Sequence, residues 1–228
     1  MKEQMAFTTF GAFLGLFFGV IGKLIYDSIA RCQKKKQILK GFIVELKALK
    51  YQYTLNTYLI YSRYGLLDKS NISWLIDNLE DFRETEKLDK TLENLKTLKE
   101  KSENETEFAS LLVARKQASE GKSLIPKKTK VLFIEQNLHY IDMFNEKDQL
   151  EILKIMKAVD RLNQQIEIAQ MYDIKTFEVE DRDNHRKICA NLDLSLQKLG
   201  RWQEQTVNDI NKFIEEHPSA YLPPPWLA

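Results

Sequence analysis

The chain is short of the residues that build compact catalytic loops. Among its 228 residues are two cysteines, Cys32 and Cys189, too few for a disulfide framework or a zinc knuckle, so a reducing compartment is expected. There are eight glycines, none in a closely spaced G-x-G arrangement beyond the first 25 residues, so no phosphate-cradling loop is present and tight hairpins have little material. These shortages disfavour nucleotide-binding α/β folds. No Gly-x-Ser-x-Gly, Cys–His nucleophile setting or Walker-type loop occurs, and no cofactor motif either. A net charge of only +1 conceals an uneven layout: residues 1–50 carry nine basic and three acidic side chains, against 25 and 30 in the rest.

What the chain does have is an uncharged run from Ala6 to Gly22, extended by Leu24, Ile25 and Tyr26 past a single Lys23 able to snorkel. A helix of about 20 residues spans about 30 Å, the thickness of a bilayer core. Three readings compete: a transmembrane anchor, a cleaved secretory signal and a buried core helix. A signal needs a basic leading region and a small-x-small cleavage site. Here Lys2 is cancelled by Glu3, and the Ser28-x-Ala30 pair is followed at once by Arg31, Lys34, Lys35 and Lys36, which resist export. The anchor is the expected reading. Arg31, Lys34, Lys35, Lys36 and Lys40 then place the C-terminal body in the cytoplasm and the N-terminus outside, and can contact anionic headgroups. For a bacterial source this means the inner membrane. Nucleic-acid binding is not expected, since the basic run lacks interleaved aromatics and a second basic strip.

On a helix, Gly11, Gly15, Gly19 and Gly22 fall within roughly an 80° arc with Thr8 at its edge, while Phe10, Phe13 and Phe17 lie opposite. Glycine at four-residue spacing lets helix backbones approach closely, so this face predicts a homo-oligomer. The phenylalanines would face lipid or form a dewetting gate.

Beyond residue 30 the apolar pattern is helical almost throughout, and the expected class is all-α: residues 1–30 an anchor, 31–65 a basic junction and stalk, 66–217 an antiparallel bundle, 218–228 an extended Pro-rich tail. Leu39, Phe42, Ile43, Leu46, Leu49 and Tyr53 carry the first helix on to Gly65, with Gly41 its weak point. Ser73 is placed as the cap of the next helix. Leu88, Leu92, Leu95 and Leu98 form a stripe through a charged segment, and Phe108, Leu111, Leu112 and Ala114 a further short helix. Gly121–Pro126 reads as a loop. Lys130–Ile134 reads as helix, for lack of a second strand to pair with it. Asn145 with Asp148 caps a helix on which Ile152, Ile155, Val159, Leu162 and Ile166 make a heptad seam for a partner helix. The last helix is expected from near Glu180 to His217, ended by Pro218.

Two polar clusters carry four carboxylates, two histidines and two arginines between them. Glu135, His139 and Asp142 would share a helix face, and Asp181-Arg182-Asp183-Asn184-His185-Arg186 is densely polar. Neither matches H-E-x-x-H, and Glu-x-x-His is absent, so no metal site and no catalytic residue are expected. Arg182 and His185 are separated by two residues, whereas the helical ribonucleases called HEPN domains place four to six between them. A hydrated helix start accounts for 181–184.

In layout, one N-terminal span, a basic junction and a helical cytoplasmic bundle, the chain resembles small membrane effectors of bacterial antiviral systems, among them the helical accessory membrane protein of type VI CRISPR loci. The resemblance implies a HEPN-like helical body and an oligomeric membrane pore. The residues themselves point first to a non-enzymatic membrane protein that self-associates and binds or senses a cytoplasmic protein, with the pore as the alternative and a membrane-tethered hydrolase last.

Overall fold

The computed structural model describes the backbone of residues 2–84, 86–119 and 125–218, and their side chains except at 2–15 and 118–119. Among the described residues there are seven α-helices, one 3₁₀ helix and no strand. The chain is all-helical there, as the periodicity predicts.

Helix α1 (Lys2–Tyr64) is a single rod of 63 residues, about 95 Å long at 1.5 Å per residue. It stops because Gly65 takes φ +63, a left-handed conformation that costs glycine little, and the Leu66 amide then donates back to the Tyr61 carbonyl at 2.9 Å. Helix α2 (Lys69–Glu80) starts earlier than expected, because Asp68, not Ser73, is its cap: the Asp68 carboxylate accepts from the Asn71 amide at 2.7 Å. The Ser73 hydroxyl donates instead to the Lys69 carbonyl within the helix, at 2.9 Å. After turns at 81–84 and 86–87, α3 (Asp89–Lys101) buries Leu92, Leu95 and Leu98, and α4 (Glu105–Ser119) follows.

Residues 125–131 are non-helical, pinned where Thr129 and Asn163 exchange two hydrogen bonds (2.9 and 2.8 Å). Helix α5 (Leu132–Asn137) begins two residues later than the expected Lys130 and passes directly into a 3₁₀ helix, Leu138–Met143. The winding thus changes within the trio Glu135, His139 and Asp142, and His139 and Asp142, three residues apart in the 3₁₀ helix, stay in line. Helix α6 (Glu146–Glu178) opens on Asn145, whose side chain accepts from the Asp148 amide at 2.8 Å. Helix α7 (Arg182–Glu215) opens on Asp181, which accepts from the Asn184 amide at 2.8 Å.

Helix α7 lies between α1 and α6 and runs antiparallel to both, and α2 folds back against α1. The pairings Tyr64–Asp193 (2.8 Å) and Thr57–Gly200 (3.5 Å) set α1 against α7, and Cys32 and His217 line one cleft farther along. Gln165–Ser195 (2.6 Å), Lys154–Asp209 (2.6 Å) and Lys212–Glu151 (3.0 Å) set α6 against α7. Ile152, Ile155, Val159, Leu162 and Ile166 are all buried, inside the chain. The core is thus built from non-local pairs; Ile38, Phe42, Tyr53, Leu75, Leu95, Leu199 and Phe213 belong to one contiguous cluster.

No helix among the described residues is long and apolar enough to cross a membrane. Most of the uncharged run 6–22 falls within 2–15, so the side chains of Thr8, Phe10, Phe13 and the face of Gly11 and Gly15 lie outside the described residues, as does the tail from 219.

Candidate membrane-proximal site

Among the described residues, helix α1 is exposed from Leu16 to Gln33, except for a half-buried Ile21. Leu16, Phe18, Leu24 and Tyr26 are 70, 65, 63 and 72% exposed, and Phe17, Val20, Ile25 and Ile29 are exposed too. These side chains surround the helix. A helix apolar on every side belongs in a protein interior or in lipid, and monomers in water rarely leave so large an apolar surface bare. Phe17 and Phe18 touch edge to face at 6.0 Å, and nothing lies within 4 Å of a Cβ placed at Gly19 or Gly22. The described part of the glycine face is therefore open to a close neighbour.

Burial begins abruptly at Ile38. Between the two regimes lie the basic residues, which the fold divides. The Lys34 ammonium stands 4.9 Å from the Tyr140 ring centre and that of Lys35 5.4 Å from Phe144, so these two are braced on aromatic faces. Arg31, Lys36 and Lys40 are exposed, and among the described residues no carboxylate lies within ion-pairing reach of them. Tyr140 and Phe144 reach this end of α1 because 132–144 runs along it. Glu45 accepts from the amides of Phe133 (3.0 Å) and Ile134 (2.8 Å), capping α5 from another helix, while Phe133 seats on Gly41 and meets Phe42 edge-on at 5.9 Å.

The start of α6 and the end of α7 meet α1 at the same level, around a cleft of about 670 Å³ lined by Cys32, Lys35, Lys36, Lys147, Glu216 and His217 among others. Lys147 pairs with Glu216 at 2.6 Å, and that hydrogen bond is the main reason the Glu216 carboxyl is held below the usual carboxylate range. Asp148 is buried and accepts from Asn145 at 3.0 Å; His217 Nε2 lies 3.3 Å from its other oxygen, while His217 Nδ1 donates to the Phe213 carbonyl at 2.7 Å.

The remaining polar clusters stay apart. The His139 ring tilts over Tyr140 at 3.9 Å, and His185 faces Cys189, its Nδ1 3.8 Å from the sulfur. Among the described residues no three His, Cys, Asp or Glu side chains gather where a metal ion would fit. The α6–α7 face carries a second groove of about 530 Å³ with Lys154, Lys157 and Arg161, and Arg161 and Lys198 both stand over the Trp202 ring, at 4.3 and 4.4 Å. Farther along α1, Tyr53 and Tyr61 are buried and Tyr64 is half-buried; burial first, then the neighbouring carboxylates Glu204 and Asp193, push the Tyr61 and Tyr64 phenols far up.

Sequence reasoning singled out the basic run and missed the cleft. Lys147, Glu216 and His217 carry no local pattern that ties them to residues 32–36. Comparison of the chain with protein-family models, curated proteins and solved structures finds no match.

Proposed function

We propose that this is a membrane-anchored, self-associating helical protein whose bundle is a cytoplasmic scaffold or sensor for another protein. The observation that carries the reading is the exposure of large apolar side chains around α1 from Leu16 to Ile29, interrupted by Lys23 and Asp27, on the same helix whose next residues are basic and whose last third is buried in the bundle. Lipid is the medium that covers such a surface without a dedicated protein pocket. The uncharged run from Ala6 supplies the remaining length, and Arg31, Lys34, Lys35, Lys36 and Lys40 hold the bundle on the cytoplasmic side. Thr8, Gly11, Gly15, Gly19 and Gly22 form the face through which copies associate.

A second reading is a pore-forming effector of the kind the chain layout resembles, with several spans around one axis. The open surfaces at Gly19 and Gly22 favour it, since each accepts a backbone neighbour. No catalytic step is assigned to any residue.

Fractionation without detergent tests the anchor: the full chain is expected in the high-speed pellet, resistant to alkaline carbonate. Recovery of the intact polypeptide in the supernatant overturns the proposal. Gly15→Leu with Gly19→Leu is expected to reduce the oligomer seen by light scattering in detergent; unchanged mass moves association to the bundle. Dye entry into expressing cells separates the pore from the scaffold.

A further inference from the structure

We infer that the cleft at the base of the bundle seats the phosphodiester of an anionic membrane phospholipid. The inference rests on the membrane reading above and adds a defined lipid site to it. Position comes first. Cys32 lies three residues beyond Ile29, the last exposed apolar residue of α1's outer segment, a rise of about 4.5 Å. An anchored α1 therefore holds the cleft at headgroup depth, with the apolar side chains immediately above it to take the acyl chains.

Charge comes second. Lys35 and Lys36 from α1 and Lys147 from α6 converge on the cleft against two carboxylates, Asp148 and Glu216. Both carboxylates already have a partner, Glu216 in Lys147 and Asp148 in the Asn145 side chain. The lining thus keeps a surplus of one cation, the complement of one phosphodiester, before any contribution from the His217 ring. Lys35 is braced over Phe144, so less side-chain freedom is lost when it binds than for a free surface lysine. The α6–α7 groove holds Lys154, Lys157 and Arg161 as well, but it lies along the bundle, away from the apolar segment, and carries Asp160 and Asp209. Cations alone therefore do not single out the lower cleft; its cations stand where a headgroup would be.

The test uses the full chain in nanodiscs of phosphatidylcholine, with or without phosphatidylglycerol. Both faces of a disc are open, so changes in insertion direction do not interfere. Phosphatidylglycerol is expected to raise the thermal unfolding midpoint of the bundle. Lys35→Gln, Lys36→Gln and Lys147→Gln together are expected to remove most of that rise. Lys154→Gln, Lys157→Gln and Lys198→Gln, the same charge change elsewhere, should preserve it. Native mass spectrometry gives a second measure, with fewer phosphatidylglycerol molecules retained per protomer in the cleft variant than in the control. Equal behaviour of the two variants, or no rise with phosphatidylglycerol, overturns the site while leaving the anchor standing. A chain that does not enter phosphatidylcholine discs overturns both. Glycerol phosphate added to phosphatidylcholine discs separates the sources: an equal rise would make the ligand a free phosphate ester and overturn the lipid.

Discussion

Gly41→Ala sets two effects of known size against each other in the middle of α1. Alanine is favoured over glycine in a helix interior by about 1 kcal/mol, so helix propensity alone predicts a gain. The new methyl, however, would lie 2.1 Å from Cε1 and Cζ of Phe133 and 2.9 Å from Cδ1, well inside contact distance. Forcing an extra carbon into a packed contact costs about 1–3 kcal/mol. Phe133 cannot easily yield, because its ring meets Phe42 edge-on and its amide donates to Glu45 at 3.0 Å. The net expectation is a destabilisation of about 0–2 kcal/mol, which by itself is too broad to decide anything. A double-mutant cycle is sharper. In a Phe133→Ala background the obstruction is gone and Gly41→Ala should stabilise by about 1 kcal/mol, so the coupling between the two positions is expected at about 1–3 kcal/mol. Urea unfolding of the full chain in a non-denaturing detergent, followed by helical circular dichroism, measures all four corners. A coupling below about 0.5 kcal/mol would refute the seating of Phe133 on Gly41.

Glu45→Gln keeps the shape of the α5 cap but removes its charge, and should cost about 1 kcal/mol and speed amide exchange at Phe133 and Ile134; unchanged exchange at these two amides would contradict the cap. Gln203 is fully buried and, among the described residues, neither of its amide atoms has a hydrogen-bonding partner, so Gln203→Met should raise stability by about 1–2 kcal/mol, and a fall in the unfolding midpoint would count against its isolation. Burial, with Asp160 adding to it and Thr129 opposing, pushes the Tyr53 phenol up from 10.0 to about 12. Because the folded form keeps its proton longer, Tyr53 contributes stability that is full below about pH 10 and is lost as the pH rises toward about 12, roughly 2–3 kcal/mol in all. Tyr53→Phe should therefore flatten part of the alkaline slope, Tyr61 and Tyr64 keeping the rest; identical slopes in the two proteins would remove Tyr53 from the account.

Much of the helical layout is legible without coordinates, for a physical reason. A helix is made of contacts three and four residues apart, so its stripe and its caps are written locally. The seam from Ile152 to Ile166, the Asn145 cap, the Asp181 start and the stop at Gly65 are all of this kind. Ser73 shows where the local signal misleads: several side chains near a helix start can cap it, and the left-handed Gly65 together with the extended backbone at Asp68 chose among them. The change from α to 3₁₀ winding at Leu138 is likewise not announced by composition.

The basic junction at Arg31–Lys40 was visible as charge, while its division into lysines braced on rings and cations left exposed was not. That division depends on Tyr140 and Phe144 arriving from about 100 residues further along the chain. The cleft likewise needs the start of α6 and the end of α7 to meet the middle of α1, and Lys147, Glu216 and His217 have no sequence relation to Cys32.

The linear order of residues by itself determined the all-helical character, the apolar stretch near the N-terminus and the charge that follows it, because periodicity and charge density are properties of neighbours along the chain. Only the tertiary structure decided that α7 lies between α1 and α6, that Phe133 packs on the glycine at position 41, and that the start of α6 and the end of α7 close with the middle of α1 around one cleft. These depend on which distant surfaces complement each other, and packing between segments is selected by shape over the whole core rather than by any local pattern.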